Sequence, residues 1–160
     1  MKINTQIIFT ILFALTAIIV QAQDCQSSLS VEKNRSFKSV SNYGTVYNLL
    51  LRNDSNQKST FQITAKQLTT TCGNKKQVSL KPNAKVDITF LDNRLISIKD
   101  NRITVPGNTT INLKAKIKAP KGTPVNTWGC VEVQVANVNC KSISSSTILS
   151  AWILDPSASE

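Results

Sequence analysis

Two neighbouring stretches constrain this chain more than any others. In the first, Leu113, Ala115, Ile117 and Ala119 alternate with Lys114, Lys116 and Lys118; in the second, Val131, Val133 and Val135 alternate with Glu132 and Gln134. Successive side chains on a strand point to opposite sides, so a period of two marks a strand with one dry face and one wet face. Between them run Pro120-Lys121-Gly122-Thr123-Pro124. Proline cannot donate to a ladder and glycine reaches backbone angles closed to other residues, so this is a connection. Strand, tight turn and strand follow in order. A sheet with one apolar face must stack that face on a second apolar layer, which the rest of the chain has to supply.

The same rhythm recurs. Segments 29–31, 37–40, 45–52, 60–68, 77–80, 95–98, 103–105 and 145–154 read as strands or short extended pieces, and Val86, Ile88 and Phe90 form another alternating run. Tyr47, Leu49 and Leu51 share one face; Phe61, Ile63 and Ala65 point inward from 60–68 with Gln62, Thr64 and Lys66 outward. Clusters of Asn, Asp, Gly, Pro and Ser separate them, as at Asn42-Tyr43-Gly44, Asp92-Asn93, Asp100-Asn101 and Pro106-Gly107-Asn108. No helical period appears beyond the first segment. About seven to nine short strands at this spacing predict an all-β, antiparallel two-sheet sandwich, and the lack of a βαβ rhythm argues against a parallel sheet.

Residues 1–22 have a different character. Lys2 precedes an uncharged apolar run over 7–20, and Val20-Gln21-Ala22 offers small residues to a signal peptidase. The run is short for a bilayer span of about 20 residues, so it reads as a secretory signal cleaved after Ala22. The expected organisation is signal 1–22, sandwich 23–156 and tail 157–160, in a protein that is secreted, periplasmic or on the cell surface. Four cysteines remain, and an even count in an exported chain predicts two disulfides. The spacing lacks C-x-x-C and the chain has no histidine, which removes zinc ligation of the usual kinds and Ser-His-Asp or Cys-His catalysis.

The turn motifs carry a family resemblance. A strand leading to Ala119-Pro120-Lys121-Gly122-Thr123-Pro124, then Trp128 heading a run of alternating valines, resembles the immunoglobulin-like, fibronectin type III-like accessory domains of secreted and surface bacterial proteins. The 47–53 strand and Ile103-Thr104-Val105-Pro106-Gly107-Asn108 match their second strand and the approach to their fifth. The likeness covers most of 24–155 and speaks for fold, not ligand. Trp128-Gly129-Cys130 departs from it, since many such domains continue with Tyr and lack disulfides. In the topology this resemblance implies, the end of 60–68 lies beside the start of 129–138, and the start of the first strand lies beside the loop after 138. The implied bridges are Cys72–Cys130 and Cys25–Cys140. A Cys130–Cys140 bridge would join both ends of a strand spanning about 33 Å, against a limit near 7 Å.

Candidate chemistry is sparse. Lys114, Lys116 and Lys118 line one face about 6.8 Å apart, Lys121 extends the row, and Arg52 has outward parity on a neighbouring strand. Such a ridge suits an anionic polysaccharide or lipopolysaccharide; a solvated face that keeps sheets from pairing is the plainer role. Export and the lack of exposed stacking aromatics argue against nucleic acid. Losing Lys2 leaves 18 basic against 9 acidic residues, so +9. Trp128 and Trp152 are candidate sugar-stacking rings, with packing the plainer role. Asp92, Asn93, Asp100 and Asn101 are candidates for a carboxylate pair or an oxygen-ligand calcium site, but their spacing is not that of a calcium loop and turns need those residues anyway. Asn34, Asn53 and Asn108 begin glycosylation sequons at turn positions. The expected function is a non-enzymatic module for adhesion, envelope structure or accessory binding to a protein or glycan, without a cofactor. The alternatives are a polyanion binder using the lysine ridge and, more remotely, a small hydrolase.

Overall fold

A computed structural model describes residues 25–155 apart from 42, 71, 74–78, 80 and 141–142. The signal over 1–22, the tail over 157–160 and all of the 77–80 strand but Ser79 lie outside the described residues. Nine strands are present among the described residues: β1 Ser27–Val31, β2 Phe37–Val40, β3 Thr45–Asn53, β4 Ser59–Gln67, β5 Asp87–Leu91, β6 Arg102–Val105, β7 Thr110–Lys118, β8 Thr127–Asn137 and β9 Ser145–Ile153. They form two sheets, ordered β1-β3-β7-β5 and β2-β9-β8-β4-β6. The central strands follow the immunoglobulin-like arrangement, in which one sheet holds the first, second and fifth-type strands and the other the third and last two.

Alternation decides the core. Tyr47, Leu49 and Leu51 from β3, Phe61 and Ile63 from β4, Leu113, Ala115 and Ile117 from β7, and Val131, Val133 and Val135 from β8 are all fully buried between the sheets. The Tyr47 hydroxyl donates across that layer to the Ser150 carbonyl at 2.7 Å, tying β3 to β9. No buried side-chain nitrogen or oxygen among the described residues lacks a partner.

The structure corrects the sequence reading at several points. One strand pair, β2 with β9, is parallel. The chain leaves β1 through a 3-10 turn over Glu32–Asn34, with Lys33 and Asn34 at positive φ, and changes sheets without reversing direction. Its continuation therefore meets β9 parallel. Segment 95–98 is no strand: Leu95 has φ 66°, and only Ser97 bridges back, to Leu91. Ala65 is exposed, not inward. β6 pairs only with residues 59–62 of β4, so the far half of β4 is itself a sheet edge.

The cystines join Cys25 to Cys140 and Cys72 to Cys130, with Cα–Cα separations of 6.1 and 5.9 Å. The second pins Cys72 onto the outer face of β8, and described residues on either side of it in the 68–86 segment are tied there too. Leu68 N–H donates to the Cys130 carbonyl, Ala84 N–H to that of Trp128, and the Asn83 amide to that of Leu68. Trp128 has outward parity yet is buried beneath this segment. Gly73 runs so close that a Cβ there would collide with the indole.

Candidate functional site

The lysine face lies on the outside of the first sheet. β7 sits between β3 and β5, and its outward side chains are flanked by theirs: Lys114 by Asn48 and Leu91, Lys116 by Val46 and Thr89, Lys118 by Asp87. Lys116 and Lys118 are exposed, while Lys114 is partly covered and its ammonium donates to the Asn93 carbonyl at 3.3 Å. Among the described residues, side-chain ion pairs within 4 Å form at Arg52–Asp54 and Arg94–Asp92, and the ridge lysines enter neither. The row is thus positive charge that forms no close ion pair among the described residues, with Asp87 the cross-strand neighbour of Lys118.

Arg52 does not join it. It stands opposite Thr110, four residues along the sheet from Lys114, or roughly 14 Å. Its guanidinium is held 2.8 Å from Asp54. Parity placed it on the correct face; the register, invisible in the sequence, put it at the far end.

Lys121 stands in the turn that follows β7. The Thr123 N–H and hydroxyl both donate to the Pro120 carbonyl, at 3.1 and 2.6 Å, closing a turn in which Gly122 takes φ 84°. Glycine at that third position is what a type II turn requires. Lys118 and Lys121 stand at the mouth of a groove of about 480 Å³ at the end of the sandwich. Its walls are Val40, Ala119, Pro120, Val125, Ile153 and Leu154, with Ser41 and Thr123 as polar members. The groove was missed at the sequence level because its apolar residues come from three separate parts of the chain. The Pro120–Thr123 turn was its one visible signal.

The other candidates fall into structural roles. Trp128 packs edge-on to Trp152 at 5.0 Å and to Phe37 at 6.2 Å between centroids, so its ring is used for packing. Phe37 is the exposed member of this cluster. Asp92 accepts N–H bonds from Ile96 and Arg94, each at 2.9 Å. The Ile96 N–H first, then the Arg94 backbone and guanidinium, hold its carboxyl below the usual carboxylate range. Asp100 and Asn101 are left-handed turn residues whose carbonyls accept from the Gln62 amide. These side chains make turns, and no group of three or more potential metal ligands is found among the described residues. No helix among them is long and apolar enough to cross a membrane.

Asn53, the start of a sequon, has a role the sequence did not reveal. It is fully buried, and its amide donates to the carbonyls of Gln57, Val105 and Pro106 at 2.7, 3.1 and 3.2 Å. Its oxygen accepts the Ser55 N–H and hydroxyl.

No protein-family model and no curated protein sequence matches the chain. Among solved structures, it is similar in fold to part of a family 123 glycoside hydrolase from Clostridium perfringens, studied for glycolipid glycan hydrolysis. The identity is 7%, the TM-score 0.52, and the match covers 82% of this chain and 27% of that one. A FixG-related protein from Vibrio parahaemolyticus aligns at 11% identity and TM-score 0.46, over 83% of this chain and 97% of its own. The Reelin-N domain of F-spondin aligns at 20% and 0.38, over 81% and 87%. This chain spans about a quarter of the hydrolase it resembles, and at such identity the likeness is one of fold alone.

Proposed function

We propose that this chain is an exported, non-enzymatic immunoglobulin-like module that acts by surface contact at a cell envelope, with 1–22 as the removed signal and 23–156 as the working domain. Its ligand surface is the lysine face formed by Lys114, Lys116, Lys118 and Lys121, and its ligand class is an anionic glycan such as an acidic polysaccharide or lipopolysaccharide. The observation that carries this reading is the lysine row on β7, in which no lysine is within 4 Å of a carboxylate among the described residues. Two disulfides support an oxidising compartment.

Glycoside hydrolysis would need two carboxyl groups facing one cleft. The described residues that line the 480 Å³ groove include no carboxylate, so they offer no such pair there. The test is elution from immobilised heparin. The triple variant Lys114→Gln/Lys116→Gln/Lys118→Gln is expected to elute at distinctly lower salt, because exposed charges act through screened Coulomb attraction. Elution at an unchanged salt concentration would instead make the ridge a solvated face that discourages sheet pairing.

A further inference from the structure

We propose that the groove at the end of the sandwich binds a single-chain anionic amphiphile, its alkyl part lying along Val40, Val125, Ile153 and Leu154 and its acid group meeting Lys118 and Lys121. This goes beyond the glycan-binding reading, with which it shares those two lysines. The cavity of about 480 Å³ is in the usual range for small-molecule sites. Val40 and Ile153 are buried, so the floor of the groove is the end of the core itself. Leu154 N–H donates to the Val40 carbonyl, Asn126 N–H to that of Ile153, and the Pro120–Thr123 turn is closed by two bonds to one carbonyl. The walls are therefore held before any ligand arrives, which lowers the ordering cost of binding.

The chemistry of the lining selects the ligand. None of the described lining residues is aromatic, so they offer no flat ring on which a sugar would stack; the larger ones are aliphatic, with Ser41 and Thr123 beside them. Among the described lining residues the two charged ones are both lysines, and none is a carboxylate. Asp87 faces Lys118 across the ladder, but no ion pair within 4 Å forms between them. An aliphatic trough with two cations at its mouth matches an alkyl chain ending in an acid, and the lysine stems lengthen the apolar wall.

The experiment is a titration of the disulfide-bonded protein with hexanoate, octanoate and decanoate below their micelle concentrations, followed by calorimetry and amide NMR. Affinity is expected to rise about fourfold per added methylene until the groove is full. Shifts should centre on Val40, Val125 and Leu154. Lys118→Gln/Lys121→Gln should weaken octanoate about fivefold, and octylammonium should bind at least that much more weakly than octanoate. Leu154→Gln, a neutral change at an exposed position, should weaken octanoate at least about tenfold without altering heparin elution. Lys114→Gln/Lys116→Gln should do the reverse, so failure of the glycan reading and failure of this one are separable. Equal binding of octylammonium and octanoate, no dependence on chain length, or octanoate affinity unchanged in Leu154→Gln would each overturn the proposal. So would binding only to phosphatidylglycerol vesicles, because the groove would then read a membrane surface and not a single chain.

Discussion

Replacing Asn53 by alanine is expected to destabilise the domain by about 3 kcal/mol. The side chain is fully buried at the end of β3 and joins three segments: the 54–58 loop, the end of β6 and the turn that follows it. Its two amide hydrogens serve the carbonyls of Gln57, Val105 and Pro106, and its oxygen serves the N–H and hydroxyl of Ser55. Two donated and two accepted bonds, at a net worth of about 1 kcal/mol each, set the scale at about 4 kcal/mol. The Ser55 hydroxyl keeps its second bond, to the Gln57 carbonyl at 2.9 Å, which returns part of that. Urea unfolding followed by tryptophan fluorescence is the assay. With a slope of about 2 kcal/mol per molar, the midpoint should fall by roughly 1.5 M. Asn53→Asp is nearly isosteric but puts a carboxylate oxygen against those carbonyls, so it should cost at least as much as alanine. Asn56→Ala, at an exposed side chain in the same loop, should change stability by less than about 0.5 kcal/mol. An alanine cost below about 1 kcal/mol, or a wild-type-like Asn53→Asp, would refute the idea that this amide organises the sandwich end.

Three further outcomes are expected. Cys72→Ser/Cys130→Ser opens a loop of 58 residues and should lower stability by up to about 4 kcal/mol on the chain-entropy scale. It should also red-shift tryptophan emission as the 68–86 segment lifts from Trp128; unchanged emission would mean that the hydrogen bonds of Asn83 and Ala84 hold the segment unaided. Burial pushes the Tyr47 phenol upward, so its stabilising protonation is intact below the unfolded value of about 10 and is lost only as pH rises beyond it. In a Tyr43→Phe background, tyrosinate absorbance should therefore appear together with alkaline unfolding, and a separate earlier step would contradict the buried hydroxyl. The depressed carboxyl of Asp92 contributes stability that is present above about pH 4 and lost as pH falls through its lower folded value. Asp92→Asn removes the charge that these groups favour, so it should lower stability slightly at neutral pH and flatten acid unfolding below that pH; an unaltered acid limb would contradict the assignment.

Much of this molecule is legible along the chain because a strand writes its burial as a period of two. The facing rows Tyr47-Leu49-Leu51, Leu113-Ala115-Ile117 and Val131-Val133-Val135 are core in the structure for that local reason. The turn at Pro120 was visible because proline and glycine restrict or release the backbone wherever they stand. The sandwich and the outward lysines of β7 follow from alternation, and the two bridges from the topology that the family resemblance implies. Register was not legible, since sliding one strand past another by two residues preserves every inside and outside. That freedom is why parity allowed Arg52 to reach the ridge and the ladder sent it to Asp54 instead. Nor did parity distinguish an outer face open to water from one roofed by a connection, so the cover over Trp128 and Cys130 emerges only in three dimensions. Asn53 looked like a turn residue with a sequon and is the polar hub of one sandwich end. The groove beneath Lys118 and Lys121 is assembled from β2, β9 and the 119–125 turn. Faces are a property of single strands and were written in the sequence; neighbours, covers and cavities are properties of several segments at once, and only folding brought those together.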